Sequence, residues 1–305
     1  MSTVSRVGSA IAFVLVLGSG RAAFAQMAWV DTPGSLGVSV DYAYETSNKV
    51  LDELGTESEP VDPIQNHSVA FGAEYVPIEK LGIELTVPMT SVRYSGDPTE
   101  GGFPRHGRYD DGSFHTTLTD LRLIARYNVI GGQFAISPYL GVNYPLSDYE
   151  TVGYAGVGRG LRQLPIGVAV GNFFTDSLFV HGNYEFVLSE KYDTGFEETE
   201  VSQNRSEASL LIGYLFTDRI QANIGGTFRM THGGIPFSDA SMSESPVLFT
   251  FHDPLLAEMF FLAGGGASYQ LTDTLRIDAF ARIFILGEMT RNVNAFGGGV
   301  SWDVL

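Results

Sequence analysis

The sequence predicts an all-β fold, an antiparallel transmembrane β-barrel of about 12 strands. Three observations predict it: apolar and polar residues alternate over segments near ten residues long, the links between segments are alternately short and long, and aromatic residues fall near segment ends. The composition agrees, because 17% of the 305 residues are charged, below the roughly 25% usual for soluble domains.

The first residues predict an export signal. Arg6 precedes an apolar run over residues 10–18, and Ala23-Phe24-Ala25 has the small-x-small pattern of a cleavage site. The run is shorter than the ~20 apolar residues that span a bilayer as a helix. We therefore expect a cleaved signal peptide at 1–25 and a single barrel domain at 26–305.

Period-two alternation predicts each strand in turn, since it gives one apolar and one polar face. The expected strands cover residues 36–45, 67–76, 81–94, 117–129, 133–146, 161–173, 178–188, 206–216, 219–231, 257–270, 275–286 and 293–304.

Link length alternates along the chain. Short links follow the second, fourth, sixth, eighth and tenth strands, and long links follow the first, third, fifth, seventh and ninth. Three short links repeat a Thr-Asp pair, at Thr175, Thr217 and Thr272, whose side chains can bond the turning backbone. Outer-membrane barrels have short periplasmic turns and long external loops. We expect the outer membrane of a Gram-negative bacterium.

The apolar faces carry aromatic residues at both ends, which favours a membrane barrel over a soluble sandwich because these rings prefer the bilayer interface. One girdle is expected at the short-link end and one at the long-loop end. The expected partners are outer-membrane lipid, lipopolysaccharide, the barrel assembly machinery and a small-molecule solute.

The opposite faces carry charges that require water or partners. The candidate interior residues are Asp41, Glu74, Glu84, Arg122, Arg126, Glu185, Glu207, Arg229, Arg276 and Arg282. Two interpretations stay open: a hydrated conduit with acids on one wall and arginines on the other, or charges that pair and fill a narrow barrel. The tight turn at 217–218 predicts Glu207 opposite Thr227 or Arg229.

A plug is expected from a long loop, because only residues 26–35 lie between the cleavage site and the first strand. The loop at 232–254 is unusually apolar for an external loop. Its candidate gating residues are Ile235, Phe237, Val247, Phe249 and Phe251.

Other functions are disfavoured. The net charge of −17 argues against nucleic-acid binding, and the absence of cysteine excludes disulfides and thiolate chemistry. We expect no cofactor, no metal and no catalytic residues. The His-x-Ser-Asn-Gly pattern of outer-membrane phospholipases is missing around His181 and His232, so a lipid hydrolase is the lesser alternative.

Three stretches carry a family resemblance. They are Thr-Asp-Leu-Arg-Leu-Ile-Ala-Arg-Tyr at 119–127, Gly-Val-Asn-Tyr-Pro-Leu-Ser at 141–147 and Val-His-Gly-Asn-Tyr-Glu-Phe at 180–186. This region resembles the β-barrel family named for the meta-pathway of phenol degradation. The resemblance implies an outer-membrane transporter for aromatic or other small hydrophobic compounds. A general diffusion porin is the alternative.

Overall fold

The computed structural model describes residues 28–57, 62–96, 107–193, 200–235 and 255–305. Within them, twelve long strands form the wall of a barrel. In chain order these are β1 (Leu36–Ser47), β2 (Ile64–Ile78), β3 (Leu81–Tyr94), β4 (His115–Leu118 and Asp120–Tyr127), β5 (Phe134–Pro145), β6 (Gln163–Phe173), β7 (Leu178–Ser189), β8 (Gln203–Leu215), β9 (Ile220–Gly233), β10 (Met259–Gln270), β11 (Leu275–Glu288) and β12 (Asn294–Asp303).

Each strand pairs antiparallel with its neighbours in sequence, and β1 also pairs with β12. The sheet therefore closes on itself, so neighbouring strands supply hydrogen-bond partners for the backbone of the barrel wall. The His115–Leu118 segment of β4 pairs with β3 on one side. The predicted fold, an antiparallel barrel of twelve strands, is confirmed.

One irregularity lies in β4. Pro88 of β3 has no N–H to donate to the ladder, and the pairing shifts by one residue there. Met89 stands opposite Leu118, whereas Thr86 stands opposite Arg122. This bulge divides β4 into its two segments without opening the barrel wall.

The short links use the threonines of their Thr-Asp pairs. The hydroxyl oxygens of Thr175, Thr217 and Thr272 each accept a hydrogen bond from the backbone N–H three residues later, at 2.9, 3.0 and 3.0 Å. These local hydrogen bonds explain why the Thr-Asp pair recurs at three short links. Two short ladders lie outside the barrel wall, Val50–Leu51 with Thr290–Arg291 and Tyr192–Asp193 with Glu200–Val201.

The outside of the barrel is apolar. Aliphatic residues in the strand middles are exposed, for example Leu210 at 55% and Ile224 at 67%. Trp302 is exposed at the short-link end, and Tyr144 at the long-loop end. Such a surface requires apolar surroundings. No helix in the described part of the chain is long and apolar enough to cross a bilayer.

Candidate functional site: the barrel interior

The ten charged residues chosen from the sequence all occupy inward positions of the strands. Alternating burial along each strand distinguishes the two faces. Eight of the ten are buried, Asp41, Glu84, Arg122, Arg126, Glu185, Glu207, Arg229 and Arg276, while Glu74 and Arg282 are partly exposed.

One ion pair crosses the interior. Arg122 of β4 donates from Nη2 to Glu185 Oε2 of β7 at 2.5 Å. The Tyr139 hydroxyl donates to the same carboxylate oxygen at 3.1 Å and also contacts Asn183 Oδ1 at 2.9 Å. Since β4 and β7 are three strands apart, this network fills the space between them. Tyr139 carries no charge and was missed from the sequence.

Arg126 forms a second group near the short-link end. Its Nη2 pairs with Glu74 of β2, and its Nη1 lies 3.5 Å from Glu84 of β3. Arg126 is 3% exposed. Arg126 is thus neutralised by acids of the two preceding strands, β2 and β3, instead of facing them across an open lumen.

The third group joins β8 and β9. Glu207 stands directly opposite Arg229, one of the two registers predicted from the 217–218 turn. Arg229 donates from Nε to Glu207 Oε2 at 2.7 Å, and its Nη1 lies 3.7 Å from Glu258. Arg159 also pairs with Glu258. The charges in these groups pair locally, so their fields largely cancel.

The wall from β10 through β12 to β1 carries inward glycines beside a buried aromatic ring. Asp41, Asp278 and Gly299 lie side by side in register, and Phe280 stands opposite Gly297. A side chain at Gly297 would meet the backbone of β1 and the ring of Phe280. The glycines leave room for this ring, which packs with Ala43 and Ala295. This wall combines a buried aromatic ring with the charges of Arg276 and Arg282.

The loop between β5 and β6, residues 146–162, folds into the long-loop end of the barrel. We call it the crossing loop. Its Tyr149, Ala155 and Val157 are buried against Val92 and other inward residues of β2 and β3. Arg159, in the same loop, reaches Glu258 just before β10. The loop therefore spans the mouth from one wall to the other.

Hydrogen bonds hold the crossing loop in this position. The buried Asp110 accepts the backbone N–H groups of Tyr154 and Ala155 at 3.0 and 2.7 Å. Arg291, between β11 and β12, donates to the Tyr154 carbonyl at 2.8 Å. The Tyr149 hydroxyl bonds to the carboxylate of Asp120. None of these contacts follows from strand alternation, and the sequence analysis missed them.

Outside the barrel wall, the crossing loop raises the pKa of one tyrosine hydroxyl. Burial raises the pKa of Tyr192, and the nearby Glu150 carboxylate raises it further. Tyr192 packs beside Leu161, at the end of the crossing loop. It stays protonated and neutral near pH 7, as the apolar contact requires.

The opposite end of the barrel is narrowed by residues 28–35, which we call the N-terminal segment. Ala28 is fully buried, and its carbonyl accepts hydrogen bonds from Asn128 Nδ2 and Ser137 Oγ, both at 2.6 Å. The Trp29 indole donates to the Gly132 carbonyl at 2.7 Å. A long loop does enter the barrel, since the crossing loop fills the long-loop end. The N-terminal segment at the other end was not expected from the sequence, because a few residues suffice to enter so narrow a barrel.

The sequence did carry a signal for this arrangement. The inward positions of β5 and β6 at the short-link end are unusually small: Ala135, Ser137, Ala169 and Gly171. A Cβ on Gly171 would collide with the Trp29 ring. Small inward residues on two adjoining strands indicate that another part of the chain occupies the space.

A cavity of about 270 Å³ lies in the long-loop half of the interior, beside the crossing loop. Part of its wall comes from Thr151, Gly153 and Val157 of the crossing loop. The remaining walls mix hydroxyl, apolar and charged side chains, including Ser68, Thr90, Val92, Phe260, Leu262, Arg229 and Glu258.

The predicted gating loop is placed only in part. Ile235 is 3% exposed and packs with Leu161 and Leu255. The other four candidates, Phe237, Val247, Phe249 and Phe251, lie outside the described residues. The base of this loop is fixed at the barrel mouth, because the Ile235 N–H donates to the Leu255 carbonyl at 2.7 Å.

A serine and a histidine meet on the outward face. Ser206 Oγ lies 2.7 Å from His232 Nε2, and the Tyr184 hydroxyl lies 3.1 Å from Ser206. A nucleophilic serine needs a third group to orient its histidine, and the described residues supply no carboxylate for this purpose. They also contain no group of three or more histidine and acidic side chains placed to hold a metal ion.

Comparisons with solved structures agree with this architecture. An outer-membrane channel from Pseudomonas putida F1 matches with a TM-score of 0.67 at 11% sequence identity, covering 90% of this chain and 97% of that chain. The chain has the fold of an outer-membrane β-barrel. The β domain of the Bordetella autotransporter Brka gives a TM-score of 0.49 at 10% identity, covering 88% and 99% of the two chains. A Pseudomonas aeruginosa FadL homologue gives 0.43 at 10% identity, covering 91% and 92%. No protein-family model matches the sequence, and a comparison with curated proteins finds no match.

Proposed function

We propose that this protein is an outer-membrane channel for small, neutral, partly apolar compounds, and that solutes pass only when its inner segments move. The proposal places the barrel in the outer membrane of a Gram-negative bacterium after removal of a signal peptide at 1–25. Outer-membrane lipid and lipopolysaccharide surround it there, and the barrel assembly machinery inserts it.

The observation that carries the proposal is the cavity beside the crossing loop, at the long-loop end of the barrel interior. Its volume is about 270 Å³, and a cavity of about 150 Å³ suffices for benzene. A single aromatic ring with one or two substituents therefore fits. A long chain or an oligosaccharide does not fit unless the crossing loop moves.

The lining favours neutral solutes. Hydroxyl groups from Ser68 and Thr90 face apolar side chains such as Val92 and Leu262. The nearby Arg229 is already paired with Glu207, so it offers little net charge to an ionic solute. A solute with a ring and one hydroxyl satisfies both parts of such a lining. The resemblance to the phenol-degradation barrels supports the same class.

A general diffusion porin needs a continuous water path. Here the crossing loop spans one end, ion pairs join the walls in the middle, and the N-terminal segment enters the other end. The arrangement supports a gated channel over an open pore. The Ser206 and His232 pair, without an orienting group in the described part of the chain, does not support a lipid hydrolase.

The test combines conductance with solute uptake. The intact protein in a planar bilayer should show low ionic conductance, while vesicles containing it should take up a radiolabelled neutral phenol faster than protein-free vesicles. Leu262→Trp fills the cavity and should reduce uptake about tenfold. Leu210→Trp is the matched control, since Leu210 lies on the outward face and is 55% exposed.

Three results would contradict the proposal. They are a high, constant conductance of the intact barrel, uptake by Leu262→Trp equal to that of the control, and equal uptake of phenol and of a charged sugar acid. The first and third results together would establish a general diffusion pore.

A further inference from the structure

The outward face of the barrel has a polar and aromatic cluster at the long-loop end of β1–β3. We call it the outer cluster. Its members are Tyr42, Tyr44, Gln65, His67, Arg93 and Phe114. The inward residues of the same strands are Asp41, Asn66 and Val92, so alternation directs the cluster away from the lumen.

Contacts within the outer cluster hold the Arg93 side chain in one place. Its Nη2 donates to Gln65 Oε1 at 2.5 Å, and its guanidinium lies 4.6 Å from the centre of the Phe114 ring. Gln65 in turn donates to the Tyr44 hydroxyl at 3.1 Å, and the Tyr42 hydroxyl lies 2.8 Å from His67 Nδ1. A guanidinium fixed in this way loses little entropy when it binds an anion.

Arg93 differs from the interior arginines in the partner of its guanidinium. Arg122, Arg126 and Arg229 each pair with a carboxylate. Within the described part of the chain, the hydrogen bond of Arg93 goes to a neutral amide. Arg93 is partly exposed, and its guanidinium presents several N–H donors in one plane. A fixed cation next to lipid favours an anionic partner.

The position of Arg93 along β3 indicates where along the membrane normal an anionic partner would lie. Met89 is an exposed outward residue of the apolar band, and Arg93 follows it by four residues. At about 3.3 Å per residue and a tilt near 40°, Arg93 lies about 10 Å beyond Met89 along the membrane normal. This height corresponds to lipid headgroups on the side of the long loops.

We propose that the outer cluster binds a phosphate of lipid A, the membrane anchor of lipopolysaccharide, with Arg93 as the phosphate ligand. This rests on the outer-membrane location and orientation in the proposed function. The guanidinium pairs with phosphate oxygens through parallel N–H donors, and the surrounding rings lie at the interface between sugar and acyl chains.

The experiment measures lipid binding to the purified, folded full-length barrel by native mass spectrometry. Three lipids are compared: bisphosphorylated lipid A, lipid A with both phosphates removed, and phosphatidylglycerol. The intact barrel should bind bisphosphorylated lipid A most tightly. Arg93→Gln should weaken this binding about tenfold, as expected for one charged hydrogen-bonded contact. Arg219→Gln, at the short-link end, is the matched control and should bind normally.

Phe114→Ala gives a second, independent test of lipid A binding. Phe114 lies just before β4, so its loss spares the barrel wall, and it should weaken binding about threefold by releasing Arg93. Inorganic phosphate at millimolar concentration should not compete, because it lacks the sugar and acyl chains.

Unchanged lipid A affinity in both Arg93→Gln and Phe114→Ala overturns the proposal. Equal binding of phosphorylated and dephosphorylated lipid A by the intact barrel also overturns it, as does equal binding of lipid A and phosphatidylglycerol. Phenol uptake by Arg93→Gln should equal that of the unaltered protein. A failure of lipid A binding is therefore distinguishable from a failure of the proposed channel function.

Discussion

Trp29 secures the closure at the short-link end of the barrel, and its removal should open that end. A buried tryptophan covers about 150–250 Å², and Trp29 is partly exposed, so we take about 100 Å². At about 25 cal/mol per Å², this burial contributes about 2.5 kcal/mol. The hydrogen bond to Gly132 adds about 1 kcal/mol. Trp29→Ala should therefore raise the equilibrium constant for displacing the N-terminal segment from the barrel more than a hundredfold.

The assay is single-channel recording in a planar bilayer. Trp29→Ala should show frequent openings, while Trp302→Ala should behave as the unaltered protein. Trp302 is the other tryptophan of the sequence and is 52% exposed on the outward face at the same end. Both variants lose the same side chain, so a difference between them reports the position of Trp29 inside the barrel.

Fluorescence adds an independent check. In a Trp302→Phe background, Trp29 is the single tryptophan, and an aqueous quencher should reach it slowly. Gly171→Leu should release it, because a side chain at this position collides with the indole ring. If Trp29→Ala leaves both the conductance and the folded state unchanged, the N-terminal segment does not close the channel.

The remaining predictions concern the interior and the topology. Arg229→Ala should lower the free energy of unfolding by about 3–5 kcal/mol because it leaves a buried carboxylate without its partner; the double change with Glu207→Ala should cost less than the sum of the two single changes in urea titrations. Asp110→Ala removes the acceptor for two N–H groups of the crossing loop and should raise the conductance, which a barrel with an unchanged opening rate would contradict. Protease added to intact cells should cut near Lys191 and spare the turn at 217–218; cleavage confined to that turn would reverse the orientation.

The strands and their faces were predictable from the sequence because they depend on local rules. Alternation assigns each residue to a face, and the short link around 217–218 limits the pairing of β8 with β9. Residue numbers alone therefore limited the partner of Glu207 to Thr227 or Arg229, and the structure has Arg229. Even the proline at 88 changes the register by only one residue.

The two inner segments were not predictable because their contacts join distant parts of the chain. Tyr154 reaches Arg291 across 137 residues, and Asn128 reaches Ala28 across 100 residues. No periodicity marks such contacts. Composition predicted the phenylalanine-rich loop at 232–254 as the plug. The glycine-rich crossing loop closes the mouth through backbone hydrogen bonds, which composition does not indicate.

The inward residues along β4 show how the closures and the polar interior fit together. At the long-loop end, Asp120 accepts the hydroxyl of Tyr149 from the crossing loop. Arg122 and Arg126 follow, each paired with acids of other strands. Just beyond β4, Asn128 holds the carbonyl of Ala28. Apolar side chains could fill so narrow a barrel at lower electrostatic cost, as Ile124 does on the same strand. Ion pairs instead leave a polar wall that water can hydrate once the inner segments are displaced. A solute leaving the cavity then finds hydrogen-bonding groups along its whole path.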